Sequence, residues 1–142
     1  MQHYRHRVLY GDTDQMGVVY YANHLRFFEG ARNEWIRGLG IPYTQIEERG
    51  IFLPVLEAAV KYLRPARYDD LLEVAVTVSH TRVKVRFDYV VHRVGETPPL
   101  VLGHTVHACV GKEGRPTRAP DWLLAALEGH SQRMTREGEP HG

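Results

Sequence analysis

The chain has a single cysteine, Cys109, and so cannot close a disulfide within itself. Its fold must rest on a hydrophobic core, and a reducing compartment suits it. It also lacks any long apolar run, since nowhere do the roughly 18 consecutive apolar residues of a membrane span occur. The opening residues, Met1 to His6, have no apolar stretch of the kind a secretion signal needs. No membrane span is expected, and the expected location is cytoplasmic. Net charge is nearly absent too, with 18 basic residues against 17 acidic ones. That balance excludes the strongly basic footprint of most nucleic-acid binders.

Hydrophobic residues make up 43% of the 142 positions, enough for one ordinary core. One domain is expected over residues 1–130, followed by a polar tail, 131–142, that frays. After a short alternating stretch around Val8 and Tyr10 comes a glycine-punctuated loop, Gly11-Asp12-Thr13-Asp14-Gln15-Met16-Gly17. From about Tyr20 to Leu39 the apolar residues Leu25, Phe28, Trp35 and Leu39 recur at helical spacing, and Gly38 and Gly40 supply stop signals. The spacing predicts one long helix whose wide apolar stripe must be wrapped by something else.

A brief helical turn is predicted near Tyr43 to Arg49, and beyond Gly50 the period changes from 3.6 to 2. Val74, Val76 and Val78 alternate with polar or small residues, as do Val83, Val85, Phe87, Tyr89 and Val91 with Arg82, Lys84, Arg86 and Asp88. Leu53 to Leu63 and Leu100 to Lys112 are further strand candidates, and Asp121 to Glu128 has the pattern of a short helix. An antiparallel sheet of about five strands, apolar on one face and curled around one long helix, is the simplest way to bury both. The fold class is therefore α+β.

The run Tyr10-Gly11-Asp12-Thr13-Asp14-Gln15-Met16-Gly17-Val18-Val19-Tyr20-Tyr21-Ala22-Asn23 resembles the signature of the hotdog-fold thioesterases of the 4-hydroxybenzoyl-CoA thioesterase type, including their YbgC-like acyl-CoA branch. Downstream, Tyr62-Leu63-Arg64-Pro65-Ala66-Arg67-Tyr68-Asp69-Asp70-Leu71-Leu72 resembles that family's connection between two strands. The resemblance implies a hotdog fold and hydrolysis of an acyl-CoA to free acid and coenzyme A. It implies that Asp14 is the catalytic carboxylate and that the amide of Tyr21 polarises the carbonyl. Gly17, Val19, Tyr20 and His24 would then line the substrate, with His24 standing where the family commonly has an aromatic residue. It also implies a homo-oligomer, a dimer or a dimer of dimers (a homotetramer), with sheets joined edge to edge and each site built between two protomers. No cofactor is implied apart from coenzyme A as part of the substrate.

The chemistry suits these residue types. A thiolate with a conjugate-acid pKa of about 8.5 leaves without much help from an acid, so one carboxylate can suffice. Charge growing on the carbonyl oxygen needs preorganised donors, which the free N–H groups of a helix start provide. Asp14 would attack the carbonyl or activate a water, and residue types alone leave both routes open. Read without the longer motif, Asp12, Thr13 and Asp14 are ordinary turn and capping residues. Glu29 is the rival base, although Arg32 three residues on would pair with it on a helix.

Arg82, Lys84 and Arg86 alternate and would share one strand face, where Arg82 and Lys84 could bind the phosphates of coenzyme A. A solvated strand face would look the same. His107 and Cys109 also share a face, inviting a cysteine nucleophile, yet a lone strand cysteine is more often a small core residue. Neither His3 with His6 nor His104 with His107 is spaced to converge from one strand face, so no metal site is expected. Two other readings stay open: a non-catalytic acyl-CoA-binding module, and a dehydratase or hydratase acting on acyl thioesters.

Overall fold

The computed structural model describes residues 4–41 and 43–138. In chain order the elements are β1 (Tyr4–Arg7), α1 (Asn23–Arg37), α2 (Tyr43–Glu48), β2 (Val55–Tyr62), β3 (Leu71–His80), β4 (Lys84–Arg93), β5 (Pro99–Ala108) and α3 (Asp121–Gly138). The strands form one antiparallel sheet in the order β1-β3-β4-β5-β2. The α+β expectation of five strands around one central helix is met. No helix among the described residues is long and apolar enough to cross a membrane.

Helix α1 buries His24, Phe27, Phe28, Ala31, Trp35 and Ile36 against the sheet. This stripe is turned from the predicted one: Leu25 is 40% exposed, and Leu39 lies beyond the helix, partly buried against the core. From β4, Val85, Phe87, Tyr89 and Val91 all point inward and are fully buried, as strict alternation requires. Phe28 stacks on Tyr89 with centroids 4.4 Å apart and planes 2° from parallel. That stack depends on Gly103, since a Cβ there would lie 2.4 Å from the Phe28 ring.

The interior also holds polar groups. His107 bonds through Nδ1 to the Leu53 carbonyl (2.8 Å) and through Nε2 to the Thr105 hydroxyl (2.9 Å). Thr105 in turn bonds the Tyr89 hydroxyl (2.8 Å), which receives a hydrogen bond from Arg32 (3.2 Å). Pairing of this kind is what lets polar atoms sit in a core without a heavy desolvation cost.

Several boundaries differ from the sequence expectations. The first strand is Tyr4–Arg7, ahead of Val8, because it is this segment that pairs with β3. Arg82 is not on a strand face with Lys84 and Arg86. The Thr81 hydroxyl accepts from the Val83 and Lys84 amides, closing a tight turn that holds Arg82 between β3 and β4. Helix α3 continues past Glu128 to Gly138; this stretch has no proline and several good helix formers, so polarity alone does not end it. Residues 139–142 of the expected tail lie outside the described residues.

Candidate active site

Two ends of the sheet must be distinguished. One carries Tyr62, Val101, Arg93, Leu71 and Arg7, leading into the Gly11–Gly17 loop and the start of α1. The other carries Val55, His107, Lys84 and His80, with the Arg82 turn. A ten-residue strand such as β4 separates them by about 30 Å.

The loop's two aspartates have different surroundings. Asp12 is 4% exposed. Its Oδ2 accepts from His6 Nε2 and the Leu9 amide, both at 2.8 Å. Burial pushes its carboxyl upward, but the Leu9 amide, His6 and the Arg26 charge together outweigh this and leave it below the ordinary value. Its carbonyl accepts from the Tyr20 amide and the Asn23 side chain, each at 2.9 Å, which fastens the loop to the start of α1.

Asp14 is exposed. Its backbone pairs with Val18, donating to the Val18 carbonyl at 2.8 Å, and a turn closes at Gly17, whose φ of +77° is open to glycine at little cost. Asp14 Oδ1 accepts from the Met16 amide (2.8 Å) and the Val18 amide (3.4 Å), which fixes the side chain's direction. Among the described hydrogen bonds, Asp14 Oδ2 has no partner.

At the start of α1 the first helical bonds run from Asn23 to the Tyr20 carbonyl, from His24 to Tyr21 and from Leu25 to Ala22. The amides of Tyr21 and Ala22 have no acceptor among the described hydrogen bonds, as the geometry of a helix start requires. The Tyr20 carbonyl is held by Asn23, and a trans peptide points its N–H the opposite way. The Tyr21 N–H therefore faces out of the helix start. The Tyr62 hydroxyl donates to the Tyr21 carbonyl at 2.7 Å, orienting the next peptide and its Ala22 N–H in the same manner.

Around these groups stand Tyr20, Tyr21, Tyr62, Leu63 and Met16, all large and all exposed. Of the residues expected to line substrate, Gly17 and Tyr20 are in this open region, and His24 is buried beside it, its ring 5.7 Å from Tyr62. Burial pushes His24 down to about 4. Val19 is a core residue, its amide bonded to the Ala66 carbonyl at 2.7 Å. Arg82 and Lys84 lie at the far end of the sheet, so one protomer does not bring them to Asp14. Arg86 is engaged by Asp88 at 3.1 Å.

The rivals have plain explanations. Glu29 is exposed on α1, and Arg32 turns from it to Tyr89. Both nitrogens of His107 are already bonded, and burial pushes the Cys109 thiol upward, away from the thiolate a nucleophile needs. No group of three metal-type side chains converges among the described residues. Two residues that matter were given no role from sequence: Asn23, which staples loop to helix, and Tyr62, which holds the Tyr21 carbonyl. Both belong to the quoted motifs, but only the fold brings Tyr62 beside Tyr21.

Comparison with known proteins agrees with this architecture. A 1,4-dihydroxy-2-naphthoyl-CoA hydrolase of Synechococcus elongatus is 32% identical over 124 residues, covering 82% of this chain and 90% of that protein. The acyl-CoA thioesterase YbgC of Haemophilus influenzae is 44% identical over 77 residues, 54% of this chain and 57% of its own length. The crystal structure of a Thermus thermophilus protein superimposes with a TM-score of 0.84 at 33% identity, covering 91% of this chain and 98% of that one. Residues 8–127 match the family model described as the thioesterase-like superfamily. With the sheet and the central helix in agreement with these matches, the chain belongs to the thioesterase-like superfamily and has its hotdog fold.

Proposed function

We propose that this protein hydrolyses acyl-CoA thioesters to the free acid and coenzyme A, with Asp14 as the reacting carboxylate and the Tyr21 amide as the donor to the carbonyl oxygen. One observation carries the reading. A loop whose far side is anchored by Asp12 presents an unpartnered Asp14 Oδ2, on the same short segment that opens a helix with unpartnered amides. The acyl carbonyl oxygen accepts from Tyr21 N–H as negative charge grows on it.

Asp14 then has two routes. As nucleophile, its oxygen bonds to the carbonyl carbon, the carbon–sulfur bond breaks, coenzyme A leaves as thiolate, and water cleaves the mixed anhydride. As general base it takes a proton from water while that water attacks and the same thiolate departs. A single turnover in ¹⁸O-water separates them, since only the first route can place label in the Asp14 carboxylate.

The phosphates of coenzyme A call for cations, and Arg82 and Lys84 are at the wrong end of their own protomer. A second copy supplies them if the free edge β2, with Val55, Leu56 and Tyr62 exposed, pairs antiparallel with its counterpart. A two-fold axis through that edge sets the Tyr62 end of one sheet beside the Val55 end of the other, bringing the second copy's Arg82 turn to the Asp14 side. This favours a dimer as the smallest complete unit, with further pairing into a homotetramer. The reaction belongs in the cytoplasm, whose reducing conditions suit the free Cys109 thiol.

The experiment is Asp14→Asn, assayed by free-thiol release from short-chain, long-chain and aromatic acyl-CoAs. The expected loss in kcat is about a thousandfold, within the usual range for removing a general base. Near-normal turnover on every substrate that the unaltered protein accepts would remove Asp14 from the mechanism.

A further inference from the structure

Tyr62 makes a contact that its own burial does not demand. The residue is 46% exposed, so water is within reach of its hydroxyl, yet that hydroxyl donates to the Tyr21 carbonyl at 2.7 Å. The carbonyl stands at the start of α1, where an amide further along the helix ordinarily supplies the bond. Here the backbone bond it accepts, from the His24 amide, is a long 3.3 Å. A side chain from the sheet, and not the helix, makes the shorter contact.

The effect passes through one peptide plane. A trans peptide points its N–H opposite to its carbonyl, so holding the Tyr21 carbonyl also holds the Ala22 N–H. The bond from Asn23 to the Tyr20 carbonyl closes a turn around Tyr21 and Ala22, and both of their N–H groups leave the helix start in the same general direction. Each is aimed by a different contact: Tyr21 N–H through the Asn23 amide, Ala22 N–H through Tyr62. Tyr62 in turn is fixed from the sheet. It is the last residue of β2 and pairs with Val101, and just beyond it the Leu63 and Arg64 amides donate to the Leu100 carbonyl at 2.9 and 3.1 Å.

We propose that the Ala22 N–H is a second donor to the acyl carbonyl oxygen and that Tyr62 is the positioning residue that aims it. The inference rests on the acyl-CoA hydrolase reading above and deepens its account of that site. One oxygen has lone pairs for two donors, and negative charge growing on it strengthens both bonds together. A donor held in place before the substrate arrives need not turn during the reaction. Burial and the neighbouring Tyr21 push Tyr62 upward, so its hydroxyl keeps the proton that it gives to the carbonyl. Tyr62 acts through that peptide and touches no reacting atom.

The test is Tyr62→Phe, which removes one oxygen and keeps the ring beside Tyr21 and His24. On any acyl-CoA that the unaltered protein hydrolyses, kcat by free-thiol release should fall about tenfold, less than the roughly hundredfold or more that outright loss of such a donor costs. KM should stay within about twofold, because the bond strengthens as charge develops and not on binding. Tyr62→4-aminophenylalanine, which restores a donor at the same ring position, should recover most of the loss.

A second measurement needs no turnover. A ketone analogue with a methylene in place of the thioester sulfur and ¹³C at the carbonyl should show its carbonyl stretch at lower frequency when bound, and Tyr62→Phe should give back part of that shift. A role in stability alone would lower the melting temperature and leave both readouts unmoved. A kcat within about twofold of the unaltered value, a loss found only in KM, a loss that 4-aminophenylalanine does not recover, or a carbonyl stretch indifferent to Tyr62→Phe would overturn the inference. Absence of thiol release from every acyl-CoA would instead sink the hydrolase reading itself, a result distinct from a Tyr62 variant that turns over normally.

Discussion

Between β3, β4 and β5 the polar side chains that face α1 are paired: Tyr89 with Thr105 and Arg32, and His107 with Thr105 and the Leu53 carbonyl. At the Asp14 end a carboxylate oxygen, two amides and an imidazole nitrogen have no such partners among the described residues, and large aromatic side chains stand open. The two regions share one helix, yet one has its bonding groups consumed by the fold and the other leaves them available. Groups already engaged contribute to stability. Groups left open are what a substrate can engage, and they cost stability until it does.

If that division holds, a change at one end should move one property and leave the other. Asp14→Asn makes the sharpest case: the thousandfold loss in kcat should come with a melting temperature within a degree or two of the unaltered protein. The side chain is exposed, and asparagine keeps the oxygen that accepts from Met16. A large drop in melting temperature would place Asp14 among the stabilising groups and blur the comparison.

The next largest effect concerns acid. His24 has a folded value of about 4 against 6.5 for the free side chain. As pH falls, the unfolded chain takes up this proton first, so the contribution to stability is complete above about pH 6.5 and is lost progressively down to about pH 4. The shift corresponds to on the order of 3 kcal/mol. Burial lowers His107 as well, in the same direction. Denaturant titrations at pH 7 and pH 4.5 should show the fall, and His24→Phe should flatten it; an unchanged slope would mean that His24 keeps its ordinary protonation in the fold.

In the core, Thr105→Val tests the other side of the division. It removes the hydroxyl between Tyr89 and His107 and leaves two buried groups short of a partner, at a cost of about 2 kcal/mol in equilibrium unfolding. A neutral result would show that the interior can rearrange around the loss.

The sequence made the centre of the sheet readable because alternation there is strict. Val85, Phe87, Tyr89 and Val91 needed no three-dimensional knowledge to be placed inward. The helix was harder: with Leu25, Phe27, Phe28 and Ile36 all apolar, several stripes fit, and contact with the sheet chose the one containing His24 and Phe27. Strand β2 was also predicted, but being an edge it leaves Leu56 and Ala58 exposed, a fact of sheet order that periodicity does not carry. Asp14 stood out only as part of a long motif, since Asp-Thr-Asp alone is turn chemistry. The Tyr62 contact was illegible because it depends on where β2 ends relative to the start of α1. Arg82 was misplaced because the capping of a turn by Thr81 leaves no trace in alternation.

The run from Arg32 to Leu53 has a direction. A guanidinium can only give protons and a backbone carbonyl can only receive them, so the two ends dictate every step between. Tyr89 must take from Arg32 and give to Thr105, Thr105 must give to His107 Nε2, and His107 must give from Nδ1 to the Leu53 carbonyl. While neutral, the imidazole at the heart of the protein thus has no alternative tautomer to visit: its proton sits on Nδ1.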